Sequence, residues 1–175
     1  MKVVVTNYND TWNEMFKEES QYIKDILGSE LIAIHHIGST SVPGLKAKPI
    51  IDIMPVVKNI EEIDSFNEQM TDLGYECMGE FGIKGRRYFR KGKEHRTHQV
   101  HVFQVDNEKD IHRHLAVRDY LRTHPGEAKQ YGELKENLAR QFPNDIVAYM
   151  DGKDAFVQEL ERKALDWYVN TDSSL

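Results

Sequence analysis

His35-His36-Ile37-Gly38-Ser39-Thr40-Ser41-Val42-Pro43-Gly44-Leu45-Lys46-Ala47-Lys48-Pro49-Ile50-Ile51-Asp52-Ile53-Met54 decides how the rest of the chain is read. The apolar run Leu31 to Ile37 predicts a strand that feeds Gly38-Ser39-Thr40. Gly38 has no Cβ, so backbone N–H groups there can come close to a ligand. Ser39, Thr40 and Ser41 are good N-caps, and the N-terminus of a tight turn or short helix at that point would suit a phosphate. A second apolar strand, Pro49 to Val57, carries one acid, Asp52. A carboxylate among apolar neighbours needs a partner, and Mg²⁺ bearing phosphates would be one.

Gly-Ser followed about a dozen residues later by Asp and an apolar residue resembles the nucleotidyltransferase superfamily pattern. The likeness extends to one branch, the GrpB-like family, through His36-Ile37-Gly38-Ser39-Thr40, Val42-Pro43-Gly44-Leu45 and Ala47-Lys48-Pro49-Ile50-Ile51-Asp52-Ile53. Gly79-Glu80, Gly82-Ile83, Gly85-Arg86, Tyr88-Phe89, Lys91, Arg118-Asp119-Tyr120-Leu121-Arg122, His124-Pro125, Tyr131 and Leu134-Lys135 continue it, so that it runs from about Tyr8 to Tyr168. The resemblance implies an α+β fold, a minimal nucleotidyltransferase-like mixed β-sheet with flanking helices and a helical C-terminal part. Residues 1–175 would form one domain, with the sheet core over about 1–107 and the helical part over about 108–170. Members of this family also occur fused to dephospho-CoA kinase, which makes coenzyme A metabolism a context by association.

At 175 residues, 39% hydrophobic and 30% charged, the chain has the size and composition of one globular domain. A net charge of −6 argues against a dedicated nucleic-acid binder. No run approaches the roughly 18 apolar residues of a membrane helix, and the opening Met1-Lys2-Val3-Val4-Val5 is too short a run for a signal peptide. A lone Cys77 fits a reducing compartment, so the expected location is the cytoplasm.

Periodicity predicts helices from Asp10 to about Leu27 and from Ile60 to Leu73, where Gly74 would be the C-cap. Tyr75–Met78 reads as a short strand. Gly85–Lys91 and Thr97–Val105 read as an antiparallel pair. The second half predicts helices over Asp110–Thr123, Pro125–Gln141, a short piece near Ile146–Met150, and Lys153–Tyr168, with a frayed tail from Asn170 to Leu175.

A full superfamily site implies a second acid two residues beyond Asp52, on the same strand face. Here that residue is Met54. Asp52 could still hold a single Mg²⁺ with phosphates and water. The acid expected on the later strand is also missing. His98 and His101 occur there instead, three apart and therefore on opposite faces; His101 could fill the acid's place as ligand or base, and His98 could be a hydrogen-bonding group. Lys84, Arg86, Arg87, Arg90, Lys91, Lys93 and Arg96 place seven of the 23 cations in one hairpin, which suggests a polyphosphate or acidic-metabolite site. Arg118 and Arg122 lie one helical turn apart as a second clamp, and Tyr131 and Lys135 share a helix face.

The expected site therefore comprises Asp52, His101 and His98 as catalytic candidates, with Asp52 as the Mg²⁺ ligand. Gly38, Ser39, Thr40, Lys48, Arg87, Lys91, Arg118 and Arg122 are the nucleotide or phosphate contacts. The expected activity is transfer of a nucleotidyl group from a nucleoside triphosphate to a hydroxyl or anionic acceptor. The alternative is a catalytically silent nucleotide- or phosphate-binding module.

Overall fold

The computed structural model describes residues 2–172. Its sheet is built from β1 (Leu31–Ile37), β2 (Ile51–Val57), β3 (Tyr75–Cys77), β4 (Arg86–Lys91) and β5 (His98–Gln104), in the order β1-β2-β5-β4-β3. Only β2 and β5 run parallel; the other neighbours are antiparallel, so the sheet is mixed. β2 lies inside the sheet between β1 and β5, and six of its seven residues are buried, which is why it reads as a continuous apolar run. The parallel ladder passes from Ile53–Val100 to Val56–Phe103 without Met54 and Pro55, and Pro55 has no N–H to give it. β2 begins at Ile51 rather than at Pro49, with Ile51 donating to the Thr97 carbonyl at 2.9 Å.

The chain divides into two compact units. The sheet unit, Thr11–Ile37 and Ile50–Ile111, contains all five strands together with α1 (Thr11–Leu27) and α2 (Asn67–Asp72). Trp12, Ile23 and Leu27 of α1 are buried, as its amphipathic spacing predicts. The helix expected over Ile60–Leu73 is instead a 3₁₀ stretch, Ile60–Phe66, followed by the six residues of α2. Asn59 accepts from the Glu61 N–H, and the Ser65 hydroxyl donates back to the Glu62 carbonyl; such side chains compete for backbone groups and favour tight turns.

The helical unit comprises the described residues of Met1–Asp10, Gly38–Pro49 and His112–Leu175. It holds most of α3 (Glu108–Thr123), α4 (Pro125–Gln141) and α5 (Ile146–Asp172). The bend 38–49 belongs to this unit, where Val42 and Leu45 are buried with Leu121, Tyr131 and Leu160. Two helices expected over 146–168 are one. Helix α5 runs through Gly152 and on to Asp172, past the start of the expected tail, and residues 173–175 lie outside the described residues. Glycine inside a helix costs about 1 kcal/mol, and here it makes room: a Cβ at Gly152 would sit 2.5 Å from Leu138 Cδ2 on α4. Gly152→Val is accordingly expected to destabilise the chain by about 1–3 kcal/mol through overpacking, read as a lowered melting temperature. An unchanged melt would show that Leu138 yields freely. Among the described residues, no helix is long and apolar enough to cross a membrane.

Candidate functional site

The bend is a single 3₁₀ turn, Ser39–Ser41, entered through Gly38 at φ +73°, a conformation that favours glycine. The Ser41 N–H and hydroxyl both donate to the Gly38 carbonyl, and Arg122 Nε donates to the Ser41 carbonyl at 3.0 Å. Three residues are too few to carry a helix-terminal field, so attraction for an anion there would draw on nearby side-chain charge. Lysines supply it. Lys135 of α4 is 2% exposed and donates to Ser39 Oγ at 2.8 Å, with its ammonium 4.3 Å from the Tyr131 ring centroid. Burial pushes its pKa well below the ordinary lysine range, and Lys153 and Lys48 push it further. Both of those ammoniums lie over the Tyr149 ring, at 5.5 and 5.1 Å from its centroid. Tyr149 is fully buried, and among the described residues its hydroxyl has no hydrogen-bond partner.

Ser39 and Gly38 also line a small cavity of about 90 Å³ with Arg118, Leu121 and Tyr131. Arg118 reaches Asp119 at 2.8 Å. Arg122 lies 3.9 Å from the same carboxylate, and burial with the neighbouring Arg118 lowers its pKa. Leu121 and Arg122 contribute to a second cavity of about 310 Å³, with Pro43, Gly44, Lys46 and Lys129 on its walls. That volume is at the lower end of the small-molecule range.

In the sheet unit, Asp52 and His101 share a face, because Asp52 pairs with Gln99 and side chains two apart point the same way. His101 Nε2 lies 3.0 Å from Asp52 Oδ1, and its Nδ1 lies 3.3 Å from Arg86 Nη1. A guanidinium can only donate, so Nδ1 accepts and the ring proton sits on Nε2, where it donates to Asp52. Arg86 is itself 7% exposed and is held by donating to the Phe81 and Glu80 carbonyls at 2.8 and 3.2 Å. The acid in the apolar strand is therefore satisfied by a protein donor, and its side chain remains 24% exposed.

These residues do not make a magnesium site. Asp52 brings one carboxylate, with Oδ1 already bonded to an imidazole. Met54, at the position of the second acid, is completely buried and offers no oxygen. Arg86 puts a positive charge behind His101. Among the described residues, no three His, Cys, Asp or Glu side chains come together so as to hold a metal ion.

The remaining expected contacts lie elsewhere. Arg87, Lys91 and His98 occupy the opposite face of the sheet from Asp52 and His101, as alternation along β4 and β5 requires. Arg87 is bidentate to Asp64, at 2.7 and 3.3 Å. Lys91 donates to Glu19 Oε2 at 2.7 Å, Tyr75 donates to the same oxygen at 3.1 Å, and His98 Nε2 lies 3.4 Å from it. Glu19 is 5% exposed. Burial lowers the His98 pKa against the pull of Glu19, while burial and Glu19 together push the Tyr75 phenol far up, keeping it a donor. Arg87 is thus paired with Asp64, and Lys91 and His98 belong to a network around Glu19. Sequence reasoning missed Lys153, gave Lys135 no role, and did not connect Arg86 to His101. A helical-face count does place Lys135 beside Tyr131, which was the available signal.

The five-stranded mixed sheet with its flanking helices has the fold of a nucleotidyltransferase. Cid1 poly(U) polymerase, solved with MgGTP bound, shares it at a TM-score of 0.52 and 16% identity over 77% of this chain and 44% of that one. The chain belongs to the GrpB family: the GrpB protein family matches residues 2–163. A crystal structure of conserved protein GrpB from Enterococcus faecalis superposes with a TM-score of 0.92 at 50% identity, covering 94% of this chain and 99% of that one. UPF0157 protein YqkA of Bacillus subtilis is 50% identical over 95% of this chain, which spans 48% of YqkA's length. A dephospho-CoA kinase of Mycobacterium leprae is 24% identical over 91% of this chain and 46% of its own length.

Proposed function

We propose that this chain binds the phosphate groups of a nucleoside triphosphate at the Ser39–Ser41 bend, with Lys135 as the central cation and Lys48, Lys153 and Arg118 around it. One observation carries the reading. A buried ammonium donates to a serine hydroxyl, has two further lysines as its charged neighbours, and has no carboxylate paired with it among the described residues. Burying a charge in this way is costly, and a polyanion would relieve that cost. Nucleotide, rather than phosphate alone, is favoured by the shared fold with a polymerase solved with MgGTP. Adding ATP, CTP, GTP, UTP or inorganic tripolyphosphate is expected to raise the melting temperature, with at least one nucleotide exceeding tripolyphosphate. No shift with any of them would end the proposal.

A second reading, nucleotidyl transfer, is favoured by the partly exposed Asp52 held by His101 on a nucleotidyltransferase-like sheet. In it an acceptor hydroxyl forms a bond to the α-phosphorus, Asp52 takes the hydroxyl proton, and the bond to the β-phosphate breaks to release pyrophosphate. Pyrophosphate formed across a panel of acceptors, including coenzyme A precursors, would establish it. Nucleotide stabilisation without pyrophosphate would leave the binding module.

A further inference from the structure

The cavity of about 310 Å³ lies wholly within the helical unit, and its lining joins apolar surface to charge that the fold leaves unused. Pro43 of the bend, Leu121 of α3 and Ala128 of α4 supply apolar surface, the last two from buried positions. Four charged side chains share the lining: Lys46, Arg122, Lys129 and Glu133. Lys46 is already neutralised by Glu136 at 2.7 Å. Neither Lys129 nor Glu133 has a hydrogen bond or ion pair among the described residues. Arg122 is held through Nε, which donates to the Ser41 carbonyl at 3.0 Å. Its Nη1 stays 3.9 Å from the Asp119 oxygen that accepts from Arg118 Nε at 2.8 Å. The guanidinium is thus anchored at one N–H, while its two terminal amino groups make no hydrogen bond among the described residues.

This balance sets the charge of a ligand. With Lys46 cancelled, Arg122 and Lys129 against Glu133 leave one positive charge, in a chain of net charge −6. A phosphate monoester carries close to two negative charges and would set the excess against Glu133. A carboxylate carries one, and it matches the parallel donors of an arginine fork. The apolar lining calls for an apolar body attached to that carboxylate, and the volume suits a small molecule. We propose that this cavity is a second binding site, for a small organic monocarboxylate with an apolar body, held by Arg122 and Lys129. The site does not depend on triphosphate binding at the Ser39–Ser41 bend.

Titration of the isotope-labelled full chain with benzoate, followed through its assigned amide resonances, tests the proposal; benzamide, acetate and phenyl phosphate are the comparison probes. Benzoate should shift the Gly44, Leu121 and Gly132 amides saturably and bind about tenfold tighter than benzamide, the worth of a charge-assisted hydrogen bond. Acetate lacks the ring and phenyl phosphate carries excess charge, so both should bind more weakly than benzoate. Arg122→Gln should lose about tenfold. Lys129→Gln should lose about threefold with an unchanged melting temperature, because that side chain has no partner to give up. Equal affinity for benzoate and benzamide, shifts confined to other residues, or no binding by any probe overturns the site. Tighter binding of phenyl phosphate overturns the choice of carboxylate. Unchanged affinity in either variant overturns the part given to that residue.

Discussion

Lys135→Met is expected to raise the melting temperature and, at the same time, to weaken triphosphate binding by roughly 10- to 100-fold, the range of a lost hydrogen bond to a charged group. The two effects have one origin. In the free protein the ammonium is buried, repelled by Lys48 and Lys153, and compensated among the described residues by Ser39 Oγ and the Tyr131 ring. Methionine fills similar volume without the charge, and replacing a residue kept for function commonly gains about 0.5–2 kcal/mol. The pH dependence has a definite sign. The folded pKa lies below the unfolded one, so the folded chain holds fewer protons between them. Stability therefore rises with pH through that window, up to the ordinary lysine value near 10.4. Below the folded pKa the penalty is complete and constant. A polyanion favours the charged form, so binding within that window takes up a proton, measurable by calorimetry in buffers of different ionisation enthalpy. A melting temperature that falls in Lys135→Met, with binding unchanged, would make Lys135 a structural residue.

Glu19→Ala is expected to be the most destabilising single change in the sheet unit, by about 3–5 kcal/mol, because it breaks a buried ion pair from one side. Lys91 would keep its charge with only the Tyr75 ring, 4.8 Å from its ammonium, in place of the carboxylate, and the Tyr75 phenol would lose its acceptor. The remedy is specific. Glu19→Ala combined with Lys91→Met removes both charges and should recover most of the loss, since a well-packed apolar pair can equal a buried ion pair. Urea melts of the single and double variants measure this. A single variant that loses less than about 1 kcal/mol would mean that water reaches the site and screens Lys91.

Much of this architecture is legible from local pattern. β1 follows from its apolar run, and an interior strand of the sheet from the apolar length of 51–57. The sequence put His101 forward as a residue that could fill the missing acid's place, and the β2–β5 register sets it beside Asp52. What alternation could not settle was which face of β4 joins it. That depends on register across the β4–β5 turn, and the pairing of Tyr88 with His101 sends Arg86 to the Asp52 side and Arg87 and Lys91 to the other. A cluster of cations in sequence was accordingly divided by the sheet between two faces. The lysine cluster escaped for the opposite reason: Lys48, Lys135 and Lys153 come from a loop and two helices, and no local spacing connects them. Helix α5 was divided at Gly152 because composition registers glycine's cost, while the Leu138 contact that needs it is tertiary.

The order of strands also sets a schedule for synthesis. β2 can pair with β1 as soon as both have left the ribosome, but its other neighbour is β5, and all of α2, β3 and β4 must be made first. Until then the most apolar strand of the protein has one row of backbone donors and acceptors uncovered, in a nascent chain open to wrong partners. Closure of that parallel pair spans a long separation, so it governs the folding rate. Interrupted synthesis or slow refolding should therefore leave aggregates seeded at Ile51–Val57.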